Sequence, residues 1–219
     1  MPISFLLFLL RAQIVRLVLG AGQFGWLETR LTAASLGLFC LGIFAAAFVP
    51  FLARVFYSLQ NTKTPAIISL LAMALNVALS FLFVGWLLEK TIFQDFLVNL
   101  LKLEGISEVA VVGLPLALSI SSVFNFVFLL LFLGKTLSAF PFLEIWQSFK
   151  RIVLASLALA VSVYFSLSLT AGIFNTDTVF GLFFQALIAV VVGPLVYLFT
   201  AYLFKFPEFK TIKSSLAKH

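Results

Sequence analysis

The 219-residue chain has a formal net charge of +6, yet only 10% of its residues are charged and 63% are hydrophobic, with a mean hydropathy of +1.20. A soluble domain is nearer ~25% charged, and no aqueous core of this length could enclose so much Phe, Leu, Val and Ala. Lipid is therefore the solvent for most of the chain, and the expected fold is all-α, a polytopic bundle of about six transmembrane helices. The basic residues stand at the ends of apolar runs rather than in a patch with aromatics, which excludes a nucleic-acid-binding surface. With one cysteine, Cys40, and one histidine, His219 at the last position, neither a disulfide framework nor a His/Cys metal centre can be built.

Taken in chain order, the first apolar run is 2–19, which carries Arg11 and Arg16. It starts at Ile3 with no charge ahead of it and is interrupted at Arg11, unlike a secretory signal. The chain reads as beginning inside a helix. The second run, 31–59, ends in the polar stretch ARVFYSLQNTKTP (53–65), and the third covers 65–88. Pro65 suits the first position of that third helix. Between 89 and 108 the spacing of Ile92, Phe93, Phe96, Leu97, Leu100 and Leu101 against Lys90, Asp95, Asn99 and Lys102 predicts an amphipathic helix on the membrane surface. A fourth run covers 109–134. The 135–150 connection, with Phe140, Pro141, Phe142 and Trp146, reads as an interfacial aromatic belt. The fifth and sixth runs are 152–173 and 179–204, followed by a short basic cytoplasmic tail, 205–219.

Lys and Arg set the expected orientation. With both termini cytoplasmic, the inner side holds Arg54, Lys63, Lys135, Lys150, Arg151, Lys205, Lys210, Lys213 and Lys218. The outer side holds Arg30, Lys90 and Lys102, together with the acids Glu28, Glu89, Asp95, Glu104, Glu108 and Asp177.

Polar groups at membrane depth are costly and each needs a reason. Arg54 reads either as a snorkelling anchor or as a guanidinium gripping an anion. Asn76 and Ser80 share one face of the third run, and Asn125 follows Ser119, Ser121 and Ser122 in the fourth. Interhelical hydrogen bonding and substrate contact are both open to them. Ala158, Ser162 and Ser166 form a small-residue stripe at i+4 spacing, and Pro50, Pro115 and Pro194 fall inside runs, where proline bends helices as in many carriers. There is no HExxH, GxSxG, P-loop or dinucleotide turn and no intramembrane carboxylate pair, so no enzyme is indicated and no cofactor is expected.

The stretch RVFYSLQNTKTP, preceded by LTAASLGLFCLGIFAAAFVPFLA, resembles the hairpin of the MurJ/MviN lipid II flippases, of pattern R-x-FYA-x-QDT-x-TP. IVRLVLGAGQF, GLPLALSISSVFNFVFLLLFL and FKFPEFKTI resemble further pieces of that family in the same order. The resemblance implies the last six helices of a fourteen-helix carrier of the multidrug/oligosaccharidyl-lipid/polysaccharide exporter superfamily. It also implies movement of lipid-linked peptidoglycan precursor across the bacterial inner membrane for cell-wall synthesis. On that reading the chain is the C-terminal part of a flippase, incomplete without an N-terminal half, with lipid II and bilayer lipid as its partners.

The resemblance places Arg54, Tyr57, Gln60, Asn61 and Lys63 at a cytoplasmic gate, with Asn76 and Asn125 as further substrate or gate candidates. It gives the last two helices the role of an apolar groove for a polyprenyl tail. Two departures stand out. Asn61 replaces the family's aspartate, and Asn76 is followed one turn later by Ser80 rather than the carboxylate that accompanies sodium in some members, so no metal site is expected. The alternative readings are another polysaccharide-lipid or multidrug exporter of the same superfamily, or a non-transporting membrane subunit.

Overall fold

A computed structural model describes residues 1–19, 25–89, 91–103, 105–106, 108–137, 142–172 and 178–204. Residues 20–24, Lys90, Glu104, Phe140, Pro141, Asp177 and the basic tail 205–219 lie outside them. Every regular element among the described residues is helical, and six helices are long and apolar enough to cross a membrane. The chain is a multi-pass membrane protein. It divides into two compact units, Val18–Phe140 and Met1–Leu17 with Pro141–His219.

The central unit begins with α2 (Trp26–Ser58), which is 33 residues long, or about 50 Å at 1.5 Å per residue. It starts five residues before the uncharged run, because a charge at the bilayer edge ends a span but not a helix. Glu28 sits in the first turn, where the helix dipole favours an anion, and Thr29 Oγ1 donates to the Gly25 carbonyl at 2.9 Å.

After a tight hairpin comes α3 (Lys63–Leu88), which begins two residues before the expected Pro65. Pro65 remains in the first turn, where its missing N–H costs nothing. α4 (Ile92–Leu101) is the helix expected from the 89–108 periodicity, capped by Thr91 Oγ1, which accepts from the Gln94 N–H.

A 3-10 turn, Val109–Val112, then runs directly into α5 (Gly113–Thr136). Pro115 is therefore not a mid-span break. It lies in the first turn of α5, and its ring would meet the Val111 carbonyl in α geometry, which accounts for the tighter turn ahead of it. Pro50 and Pro194 are the prolines inside helices.

In lipid there is no hydrophobic gain from hiding one apolar helix against another, so close packing and hydrogen bonds must hold the bundle. The central unit shows this in its middle. A Cβ on Gly42 would lie 2.7 Å from Ser119 Cα, and Ser119 Oγ donates to the Leu38 carbonyl at 2.6 Å. Ala45, Ala72, Ala117 and Ser121 fill the same level. Larger side chains pack at the two ends. Leu52, Phe56, Ile68, Leu129 and Leu133 lie under the hairpin, and Ala34, Leu38, Leu87, Leu97, Leu103, Val109 and Val112 lie at the far end.

The second unit joins α1 (Pro2–Leu19), α6 (Phe142–Ala171) and α7 (Val179–Leu203). α6 begins ten residues before the expected run at Ile152. Its added turns carry Trp146 stacked on Phe149 at 5.6 Å, with Lys150 Nζ 5.3 Å from the Trp146 ring. Trp146, expected in the connection, is thus on the helix. α6 and α7 interlock antiparallel. A Cβ on Gly193 would meet Val163 Cγ2 at 2.8 Å, and Leu159, Val163, Ala189 and α1's Leu10 form the core. The buried residues of α6 are Ala155, Ser156, Leu159, Val163, Ser166 and Thr170, so of the expected Ala158/Ser162/Ser166 set only Ser166 is buried.

Gly42→Ala should loosen the α2–α5 crossing by about 1–3 kcal/mol, the usual cost of overpacking. Gly85→Ala, where an added Cβ would meet nothing within 4 Å, should be neutral or stabilise by about 1 kcal/mol. Thermal melts of both variants in detergent check this, and equal melting temperatures would sink the packing argument.

Candidate functional site

The hairpin between α2 and α3 carries most of the sequence's candidate residues, and its backbone explains its composition. Gln60 N–H donates to the Tyr57 carbonyl at 3.0 Å and Asn61 N–H to the Phe56 carbonyl at 3.0 Å. This pair of bonds is a Schellman C-cap, which places Gln60 in the left-handed region at φ 57. A non-glycine residue is strained there.

The next residue reverses the chain. Asn61 Oδ1 accepts from the Thr64 N–H at 3.1 Å, and its Nδ2 donates to Thr64 Oγ1 at 2.9 Å. Asn61 thus satisfies an orphan N–H of α3 while Thr62 is already helical in backbone. An aspartate could accept the same backbone bond and take the second one from the Thr64 hydroxyl, where the amide instead donates to it. Asn61 is engaged in the turn itself.

Arg54, Tyr57, Gln60 and Lys63 are exposed, above a floor of fully buried Phe56 and nearly buried Leu52. Arg54 and Tyr57 are three residues apart and share a face of α2. No acidic residue occurs between Glu28 and Glu89, so the two cations of the hairpin have no counter-charge in the sequence around them. The partial positive charge at the N-terminus of α3 is offset by the partial negative charge at the C-terminus of α2, so the two side-chain cations set the sign of this end. Chemically, this is an end of a helix pair suited to an anion.

The mid-span candidates are not brought together with the hairpin. Asn125 Nδ2 reaches Ser69 Oγ on α3 at 3.4 Å, a partner the sequence did not single out. Asn76 and Ser80 lie on one face of α3 with no hydrogen bond joining them. The Oδ1 atoms of Asn76 and Asn125 are enclosed and accept no hydrogen bond from a described residue. Ser121 Oγ turns back to the Leu118 carbonyl at 3.0 Å. Among the described residues no group of three or more His, Cys, Asp or Glu could hold a metal.

In the other unit, an apolar cavity of about 200 Å³ is lined by Pro2, Ile3, Leu6, Leu159, Pro194 and Leu198, with Tyr197 the one lining side chain that bears a polar atom. Sequence reasoning placed a groove on the last two helices; α1 supplies three of the seven residues that line this one. It also missed Gln185, which is 4% exposed and donates from Nε2 to the Leu167 carbonyl at 3.0 Å. A lone glutamine in an otherwise apolar run was the available signal.

The double cap yields a test. Asn61→Ala should cost about 1 kcal/mol and Asn61→Asp much less, while Gln60→Gly should stabilise by about 1 kcal/mol by relieving the left-handed strain. Melting temperatures in detergent report both. A Gln60→Gly variant that melts lower than the parent would contradict the assigned turn.

Comparison with known proteins bears on the whole arrangement. The family model described as "Lipid II flippase MurJ" matches residues 1–185. The "Probable lipid II flippase MurJ" of Bdellovibrio bacteriovorus is 24% identical over 178 residues, covering 78% of this chain and 34% of that protein. The protein of the same description from Borreliella burgdorferi is 34% identical over 79 residues, which is 36% of this chain and 16% of the relative. That from Rhizobium tropici is 34% identical over 92 residues, 42% of this chain and 17% of the relative. The chain thus spans about a third or less of the length of these curated relatives. With the match running through α1 to the first turns of α7 and including the hairpin, the chain belongs to the lipid II flippase MurJ family.

Proposed function

We propose that this chain serves in moving lipid II, the lipid-linked peptidoglycan precursor, across the bacterial inner membrane, as a six-span part of a flippase that is a transporter and not an enzyme. The observation that carries this reading is the family match over residues 1–185, which contains the basic hairpin and its two flanking spans. Flipping breaks and makes no covalent bond. What it requires is a site that draws a phosphate-bearing headgroup off one leaflet and a path that keeps the isoprenoid tail in apolar surroundings.

The hairpin suits the first requirement. Arg54 is exposed, with no ion-pair partner among the described residues, and its guanidinium can meet two phosphate oxygens at once. Lys63 adds a second cation as a point charge. Tyr57, one turn from Arg54, fits the headgroup level. Gln60 and Asn61 act in this scheme by shaping the turn, so that Arg54 and Lys63 are held on a short, doubly capped connection. The inside-positive rule assigns this end to the cytoplasm, with both termini of the chain on that side, so the hairpin would stand at the inner mouth. The second requirement suits the apolar cavity of α1, α6 and α7, whose lining side chains, the Tyr197 hydroxyl apart, offer a polyprenyl tail only packing. Asn76 and Asn125 stand as polar contacts within the spans, and Ser80 supplies no charge for sodium.

Arg54→Ala in the intact protein should leave expression unchanged yet slow flipping about tenfold or more, as expected for losing a charge-assisted contact of about 1.5–3 kcal/mol. Arg54→Lys should recover part of it. Rescue of cells depleted of their own flippase, with lipid II exposure on the outer leaflet as readout, measures this. Normal rescue by Arg54→Ala would make Arg54 a membrane anchor only, and failure of the unmodified protein to rescue would favour another exporter of the superfamily.

A further inference from the structure

We propose that α4 is a membrane-interface anchor: it lies in the headgroup region of the leaflet at the end of the central unit opposite the hairpin, with Ile92, Phe96 and Leu100 buried among lipid acyl chains. The argument starts from the helix's circumference. At about 100° per residue, Asp95 and Asn99 fall in one sector, Ile92, Phe96 and Leu100 in the next, and Phe93, Leu97 and Leu101 in the one after.

Each sector has a different neighbour. Leu97 is 3% exposed and packs with Leu87, Leu103, Val109 and Val112, and Phe93 stacks on Phe83 at 5.7 Å. That sector is docked on protein. Asp95 and Asn99 are exposed and polar, and want water. The middle sector is apolar, and yet Ile92 is 90% exposed and Phe96 and Leu100 each 60%. An apolar row lying between a docked face and a wet face is what a helix at the rim of a bilayer needs.

Connectivity fixes its height. Three residues separate the end of α3 from Ile92, which keeps the start of α4 within about 14 Å of that end. Thr91 shortens the link further, since its Oγ1 donates to the Trp86 carbonyl at 2.9 Å while accepting from the Gln94 N–H. The row also continues a surface that already faces lipid: Leu88 is 71% exposed and Trp86 48% at the close of a membrane-length helix. Trp86 pairs edge-on with Phe93 at 5.8 Å, which joins an aromatic of the belt type to the anchor. The occupant of the outward row is therefore the acyl region of the bilayer.

The test is spin labelling of the intact protein in vesicles of phosphatidylethanolamine and phosphatidylglycerol, with single cysteines at Ile92, Phe96, Leu100, Asp95 and Asn99. Cys40 is 2% exposed and so stays unlabelled. Collision with oxygen, which concentrates in acyl chains, is compared with collision with a water-soluble nickel chelate. Labels at 92, 96 and 100 should show an oxygen-to-nickel ratio severalfold above those at 95 and 99. Nickel access at the apolar row equal to that at Asp95 would overturn the proposal by placing the row in water. Shielding of the row from both reagents would overturn it equally, by showing that another protein segment covers it.

Discussion

Ser119 can place its hydroxyl 2.6 Å from the Leu38 carbonyl because Gly42, one turn further along α2, has no side chain. The rest of the central unit depends on that contact. Helices in lipid do not associate to escape solvent; they associate where backbones come close enough for dispersion and hydrogen bonding to matter. With α2 and α5 drawn together at this level, the aromatic layer above it, Phe44 and Phe48 against Phe126 at 6.0 and 5.7 Å, falls into register. α3 then packs antiparallel along α5, meeting Gly113 beside Phe83, where an added Cβ would be 3.1 Å from the backbone. Small residues at the middle and large ones at both ends are consequences of the same crossing. The second unit repeats the device with Gly193 against Val163.

The hairpin illustrates how a recognisable motif divides between structure and function. A turn of four residues must satisfy the last carbonyls of one helix and the first N–H groups of the next. Phe56 and Tyr57 offer the carbonyls, Asn61 supplies both a backbone donor and a side-chain acceptor, and Thr64 completes the exchange. Pro65 falls where no N–H is wanted. Gln60, Asn61, Thr64 and Pro65 are thus accounted for by local backbone chemistry. The side chains of Arg54, Tyr57 and Lys63 are not: they take no part in the caps and remain exposed. These three side chains are the part of the hairpin that local backbone chemistry leaves unexplained.

Much of this was legible in the sequence because membrane spans are written in long apolar runs, and the runs matched helices. The departures have physical causes. Hydropathy marks where lipid ends, so it could not see that α2 continues outward past Arg30 to Trp26, or that α6 starts at Phe142. Proline's effect depends on its place within a helix, and the position of Pro65 and Pro115 relative to the first turn was not fixed by composition. The α6 stripe was read from small size alone, whereas the buried face includes Leu159 and Val163, which pack against glycine and alanine across the interface. The bonds of Asn61 to Thr64 were not visible either, because a sequence gives residue identity without the partner.

Polar side chains inside the spans sort by the same accounting. Ser156, Ser162, Thr170 and Thr200 return their hydroxyls to carbonyls three or four residues back, which removes a donor from lipid without tying helices together. Ser119 and Gln185 instead reach across to another helix, and Asn125 reaches Ser69. These three link elements distant in sequence, so they constrain how α2, α3 and α5, and separately α6 and α7, can shift along one another. A rearrangement within either unit would first have to strand these groups in hydrocarbon, at about 1–3 kcal/mol each. Within each unit these bonds resist sliding of the helices they join.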